Sequence, residues 1–499
     1  MSSPVHPVSL LAVGAAAPSL RLTAADVGAA WGSGGGRGQV AVCDADEDTL
    51  TLAFEAAETA LAAAGLDAGE LDGLWWGTTR PPFAEGPSHT FLATALGIDP
   101  GAAGGLSAGS PHAGMDALLA AWDALAAGHA GTVLVVASDA LLPGPGTAGE
   151  STTGAGAAAL VLTGDNGASN GSGPPARLLG RASRVRPALD RYRGDRGAAT
   201  VDTYDGRLFR EQVFLPLLEE VGRVLAGTDP NAAPEAWAMS DPDGKLASAV
   251  ARRLGSTLAS TPVQAALGDT GAASPLLGLV QALAGRERGA VGMIGFGGGR
   301  ATGVTVAVSR SLPGADRIGA VLAGGRPVSY TTALRARGQL EAMTEPVPMG
   351  VPPGSAAFVR GNQEMLALEG ARCRGCATIS TPPSVHPTCT GCGGTDLQVV
   401  ALARRGTVQT FIVNQTMPAP FLAPLPMVIV DLEDGARLLV QGSPADAADL
   451  AIDDEVVLRL RRYAVERGVP VYGYTAFRSG LAPAPVGAVS TVRTGEEGP

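Results

Sequence analysis

A layered α/β domain followed by a small β-barrel is the fold class this 499-residue sequence predicts. Three observations carry it. Strand-like and helix-like segments alternate over residues 8–163, the signature of helices packed on a mostly parallel sheet. The alternation resumes after residue 208 with a weak internal echo. Beyond residue 400, short β-branched runs with period-two alternation are separated by turns, as in a small barrel.

The elements follow in order. Val8–Val13 and Val40–Cys43 read as strands. Asp48–Ala64 reads as an amphipathic helix with Leu50, Phe54, Ala57 and Leu61 on one face, an acidic first turn that suits the positive end of the helix dipole, and Gly65 as its stop. Leu74–Trp76 is a short buried strand, Pro111–Ala127 a helix closed by Gly128, and Thr132–Ala137 a strand apolar on both faces. Residues 164–176 are polar and Gly-rich, a loop or insertion. Helices are expected at Leu208–Leu225, Lys245–Leu254 and Ser274–Ala284, and strands at Ala236–Met239 and Ala290–Gly295, the latter running into Gly297-Gly-Gly299. The echo lies in Ser110-Pro111 and Ser274-Pro275. Each precedes a helix and then a glycine-led strand, with Ser placed to cap and Pro at the first helical position. Glu345–Ser355 is a Pro-rich connector. Barrel strands are expected at Gly406–Val413, Pro426–Leu432, Arg437–Gln441 and Glu455–Leu460, and a flexible tail at 481–499.

Composition narrows the function. Apolar residues make up 45% and charged residues 17%, a globular balance. The formal net charge is −11, and Lys245 is the single lysine, so nearly all positive charge is arginine. An acidic chain without basic, aromatic-rich stripes argues against nucleic-acid binding, a function that a barrel of this size could otherwise serve. The start of the sequence lacks a basic region ahead of its apolar run, and no uninterrupted apolar stretch reaches membrane-spanning length. A cytoplasmic protein without signal peptide or membrane contact is therefore expected.

Four of the five cysteines form Cys373-x-x-Cys376 and Cys389-x-x-Cys392, twelve residues apart. Zinc favours four thiolates in a tetrahedron, and each knuckle supplies two from one tight turn. Gly375, Gly391 and Gly393 lend the backbone freedom that such turns need. The expectation is a closed, structural zinc site.

At this point the sequence resembles known families. Residues 366–479 resemble the zinc-ribbon plus OB-fold family associated with thiolases and acyl-CoA enzymes, through the four cysteines, Pro382-Pro383, Gly406-Thr-Val-x-Thr-Phe411 and Asp431-Leu-Glu-Asp-Gly435. Residues 8–310 resemble the thiolase-superfamily branch that holds 3-hydroxy-3-methylglutaryl-CoA synthase and ketoacyl synthase III. The carrying stretches are Val42–Ala64, Val133–Asp139, Gly154–Thr163, Asp202–Arg207, Pro242–Leu246, Gly268–Ser274 and Gly295–Gly299. The resemblance implies a thiolase fold of two pseudo-equivalent α/β halves in a five-layered arrangement. It also implies a substrate carried on CoA or phosphopantetheine (acyl-CoA or an acyl carrier protein), and a homodimer or a hetero-oligomer with a thiolase-type subunit. The implied domains are 1–310 thiolase-like, 311–365 a linker with helical segments, and 366–480 zinc ribbon and OB-fold.

The family's chemistry departs at named positions. Its nucleophilic Cys, which opens a central helix, is Ser110 here, in Ser107-Ala-Gly-Ser-Pro-His-Ala-Gly114. Its His-x-Pro-x-Gly-Lys is Ser240-Asp-Pro-Asp-Gly-Lys245, the Asn of its Gly-Asn-x-Gly is Asp269, and its general-acid Glu falls near Thr79 or Arg80. Ser110 reads either as an alcohol nucleophile, with His112 as its base, or as a helix cap. A hydroxyl needs a base far more than a thiol does. Ser240, Asp241 and Asp269 read as acid–base residues or as polar turn residues. Lys245 reads as a contact to a CoA phosphate or as a surface residue, and Gly298, within Gly297–Gly299, as a backbone donor to an acyl oxygen or as a tight turn. Two functions follow: an acyltransferase or C–C condensing enzyme on acyl thioesters with Ser110 in place of Cys, or a catalytically silent acyl-CoA-binding subunit that partners a separate thiolase-type enzyme.

Overall fold

The computed structural model describes residues 6–33, 36–164, 173–194, 199, 205–228, 233–340, 363–417, 423–466 and 469–479. The chain divides into two compact units, residues 1–346 with 461–471, and residues 347–460 with 472–499. Among the described residues no helix is long and apolar enough to cross a membrane.

The first unit contains β1 (Val8–Ala16), β2 (Leu20–Thr23), β3 (Gln39–Val42), β4 (Gly73–Thr78), β5 (Ala103–Ala108), β6 (Thr132–Ala140), β7 (Ala155–Thr163), β8 (Ala176–Val185), β9 (Ala236–Met239), β10 (Thr257–Leu258), β11 (Gly289–Gly297), β12 (Arg300–Val308) and β13 (Arg326–Pro327). Ten strands hydrogen-bond in the order β10-β9-β11-β12-β8-β1-β7-β6-β4-β5. Parallel pairing occurs toward the two ends, where β4 lies between β5 and β6, and β9 between β10 and β11. The middle is antiparallel. The repeat of one pattern at each end agrees with the echo read in the sequence.

Two helices fill the core. Ala113–Ala126 and Ser274–Leu283 share one apolar cluster with β1, β6, β7, β11 and β12. The second is buried nearly all round, which its Leu- and Val-rich sequence permits. Helix Thr49–Ala64 starts on Asp48, whose carboxylate accepts from Leu50 N and Thr51 N while the Thr51 hydroxyl accepts from Asp48 N. It ends at Gly65 in the left-handed region, as expected.

Some expectations need correction. Leu208–Leu225 is not one regular helix. Gly206–Phe209 leads into a π-turn over Arg210–Phe214, and the α-helix runs from Leu215 to Thr228. Pro216 explains the break, because it has no N–H to give the Gln212 carbonyl. The Arg186 guanidinium donates to that carbonyl instead. The first unit also extends past residue 310. Leu312, Ala315 and Ile318 join its core, and β13 pairs with β2, so the start of the expected linker is part of the domain. The Pro-rich connector and the 481–499 tail lie outside the described residues.

The second unit carries a three-stranded antiparallel sheet, β15-β14-β16 (β14 Glu369–Cys373, β15 Ile379–Ser380, β16 Leu397–Ala401). A closed barrel follows in the order β17-β18-β19-β21-β20 (β17 Arg405–Asn414, β18 Leu425–Leu432, β19 Arg437–Gly442, β20 Glu455–Glu466, β21 Val469–Arg478). The sequence reading found four of these strands. The fifth, β21, carries Pro470 and Gly473, which weaken a strand signal. The buried Tyr474 hydroxyl donates to Leu366 O at 2.9 Å.

Candidate functional site

The parallel strands of the first unit end on one set of loops, where ligands of open α/β sheets bind. After β5 the chain passes through Gly109-Ser110-Pro111-His112 into helix Ala113–Ala126, two residues later than the predicted start. This helix closely approaches the turn ahead of the second central helix. A Cβ on Gly114 would overlap the Ala272 carbonyl oxygen. The Gly297–Gly299 turn between β11 and β12 presses on the same place. A Cβ on Gly297 would stand 2.8 Å from Ser110 Oγ, and one on Gly298, whose φ is +59°, 3.3 Å from it.

Ser110 is half-buried, and its Oγ accepts a hydrogen bond from His112 N at 3.1 Å. The helix itself begins at Ala113 without a side-chain cap, so Ser110 ties the loop ahead of it and is not its N-cap, and the hydroxyl proton remains for another acceptor. His112 is brought beside Ser110 in sequence, but its ring is turned to other partners. Nε2 lies 2.8 Å from Thr302 Oγ1, which in turn meets Ser183 Oγ at 2.9 Å. Nδ1 lies 3.0 Å from Asp116 Oδ2, outside hydrogen-bond geometry. Arg300 donates to Asp116 Oδ1 at 2.8 Å. Burial raises the Asp116 carboxyl, yet His112 and Arg300 outweigh it and hold it below its ordinary value. The geometry supplies no base from His112 to Ser110.

Ser240, Asp241 and Asp269 are all buried. Ser240 Oγ accepts from Phe296 N at 3.1 Å, tying the end of β9 to β11. Asp241 Oδ1 accepts from Leu246 N at 3.1 Å, an N–H it shares with Asp243 Oδ1 at 2.9 Å, at the start of helix Leu246–Arg253. Burial, then the negative charge of Asp243 and Asp269, pushes its carboxyl up to about 7. Asp269 Oδ1 accepts from Gly271 N (3.1 Å) and Ser274 Oγ (2.8 Å), and its other oxygen pairs with the Arg191 guanidinium. Ser274 thus spends its proton on Asp269, and neither of the echoed serines caps its helix. Lys245 is exposed at the start of helix Leu246–Arg253. The Gly298 N–H donates to Asp190 Oδ2 at 2.7 Å.

Sequence reasoning missed four members of this site. Asp139, at the end of β6, accepts from Ala272 N (2.9 Å) and Thr79 N (3.2 Å), and burial pushes it up to about 6. Its signal was a charge closing an otherwise apolar run. Asp190, Arg191 and Arg300 gave none, since each meets its partner only through the tertiary fold.

In the second unit the four cysteine sulfurs lie within 4.8 Å of one another, with Cys373–Cys392 at 3.7 Å and Cys376–Cys389 at 3.4 Å. Zinc–thiolate bonds of about 2.3 Å arranged tetrahedrally need sulfurs about 3.8 Å apart. The four residues fit such an ion.

Comparisons with known proteins fit this geometry. Residues 399–461 match the family model described as "ChsH2, C-terminal OB-fold domain". The hydroxymethylglutaryl-CoA synthase of Pyrococcus horikoshii is 33% identical over 160 residues, 32% of this chain and 46% of that enzyme. That of Aeropyrum pernix is 30% identical over 249 residues, 49% of this chain and 66% of that enzyme. The chain thus spans about half the length of the first of these relatives. A structure titled MvaS in complex with 3-hydroxy-3-methylglutaryl coenzyme A superposes with a TM-score of 0.59 at 21% identity, covering 70% of this chain and 94% of that one. The 3-oxoacyl-(acyl carrier protein) synthase III of Pseudomonas aeruginosa gives 0.53 at 22%, covering 62% and 100%. The curacin-pathway HMG synthase in complex with acetyl donor-ACP gives 0.58 at 17%, covering 71% and 95%. The first unit has a thiolase-like fold, and the second carries an OB-fold barrel.

Proposed function

We propose that this protein is a condensing acyltransferase of the thiolase superfamily, acting on acyl groups carried as CoA or acyl-carrier-protein thioesters, with Ser110 as the acyl acceptor. One observation carries the reading. The Ser110 hydroxyl stands at the mouth of a buried central helix, against a glycine turn, and its oxygen accepts from His112 N so that its proton stays available. In the first half-reaction Ser110 Oγ bonds to the thioester carbonyl carbon, the C–S bond breaks, and the serine proton leaves with the CoA sulfur as a thiol. The product is an acyl ester on Ser110. The resemblance to synthases that act on acyl thioesters supports the substrate class. The zinc ribbon, held by Cys373, Cys376, Cys389 and Cys392, would fix the fold beside the barrel, and the barrel would bind acyl-CoA. A cytoplasmic homodimer, or a pair with a second thiolase-type subunit, is the assembly we expect.

A second reading is an acyl-CoA-binding subunit without its own chemistry. It is favoured by the His112 ring, which faces Thr302 and Asp116 rather than Ser110. Intact-mass measurement after incubation with a panel of acyl-CoA thioesters separates the two. An adduct that Ser110→Ala abolishes supports the enzyme. Binding of acyl-CoA with no adduct from any donor supports the subunit and sinks the Ser110 mechanism.

A further inference from the structure

The Gly297–Gly299 turn is covered by a segment without regular structure that follows β8. Arg186 N donates to Gly299 O at 2.8 Å, and a Cβ on Gly299 would overlap the Arg186 carbonyl, so the two strips of backbone lie in direct contact. Four residues on, the Asp190 carboxylate takes the Gly298 N–H at 2.7 Å. Asp190 is 9% exposed. Burial pushes its carboxyl above the ordinary value, against the pull of Gly298 N and Arg191. The next residue, Arg191, pairs with Asp269 and reaches Pro242 O (3.3 Å) and Thr153 Oγ1 (3.4 Å). Two adjacent side chains therefore fasten residues 186–191, Asp190 to the glycine turn beside Ser110 and Arg191 to Asp269 and the Pro242 carbonyl.

A backbone N–H has one proton to give. The carboxylate on Gly298 N is an anionic oxygen in the place where an acyl oxygen bound beside Ser110 would seek a donor. We infer that Asp190 is a built-in stopper: its carboxylate occupies the Gly298 donor, and the 186–191 strap must lift before a thioester carbonyl can settle against Ser110. This rests on the acyl-thioester reading above. Substrate would bind only the fraction of molecules with the strap released, so removing the stopper raises apparent affinity.

The test uses the full chain as wild type, Asp190→Ala and the near-isosteric Asp190→Asn, with acetyl-CoA titrated calorimetrically and amide exchange followed across residues 186–194 and 296–301. In Asp190→Ala, exchange should accelerate in both segments and acetyl-CoA should bind at least about fivefold more tightly. Asp190→Asn, which keeps an oxygen acceptor, should stay near wild type in exchange. Unchanged exchange in Asp190→Ala overturns the contact. Faster exchange with equal or weaker acetyl-CoA binding overturns the stopper. Absence of acetyl-CoA binding in all three proteins overturns the acyl-thioester reading itself, and the stopper's role with it.

Discussion

Arg191 and Asp269 form a buried ion pair between residues 78 apart in sequence, with side chains only 11% and 6% exposed. Asp269 has two further donors, Gly271 N and Ser274 Oγ, so its charge is fully compensated only while Arg191 is present. Removing one partner of such a pair strands a buried charge. Arg191→Ala should therefore destabilise the first unit by about 3–5 kcal/mol. Asp269→Asn should cost less, and the double variant less than Arg191→Ala alone. Urea denaturation followed by tryptophan fluorescence measures this. A loss under about 1 kcal/mol for Arg191→Ala would mean that the pair is solvated.

The approach of the two central helices depends on Gly114. A methyl group there meets the Ala272 carbonyl, a backbone atom that cannot step aside cheaply. Gly114→Ala should cost about 1–3 kcal/mol by overpacking. Gly105→Ala, whose Cβ would meet nothing within 4 Å, is the matched control and should leave the melting temperature nearly unchanged. Equal melting temperatures for the two variants would show that the helices slide apart at no cost.

Stability should fall as pH rises from about 4 to 7. Asp139 and Asp241 titrate near 6 and 7 in the folded chain, above the unfolded value of about 3.9. Between those values the folded state holds more protons than the unfolded one, so the stabilisation present below pH 4 is lost through pH 6–7. Asp139→Asn and Asp241→Asn should each flatten that slope. Melting temperatures compared at pH 5 and pH 8 decide it. An unchanged difference in both variants would assign the slope to other groups.

Metal analysis should find one zinc per chain, lost on chelation and in Cys389→Ser, with the β14–β16 ribbon losing amide protection at the same time. Full ribbon protection in a metal-free protein would refute a structural role for the ion.

Much of this molecule was legible in the sequence because it rests on local rules. The cysteine knuckles, the Gly65 stop and the apolar run of β6 are each encoded within a few residues, whereas Asp48, read as part of an acidic first turn, is the cap ahead of it. Ser110 and Asp269 were found by position. Their surroundings were not, because a loop such as 186–191 has no period to read. The partners of Asp190 and Arg191 lie 108 and 78 residues away. His112 is the instructive case. Its place beside Ser110 in sequence suggested a base, but the first helical turn points its ring toward Thr302 and Asp116, which sequence spacing alone does not reveal.

The solitary Lys245 offers a practical opening. It is exposed at the start of helix Leu246–Arg253, four residues from Asp241, while every other basic side chain of the Lys/Arg type is an arginine that amine reagents ignore. Apart from the chain's α-amino group, an amine-directed fluorophore would thus find one side chain, beside the Asp241 turn, giving an optical reporter of ligand arrival without any engineered cysteine to compete with the metal-binding thiols.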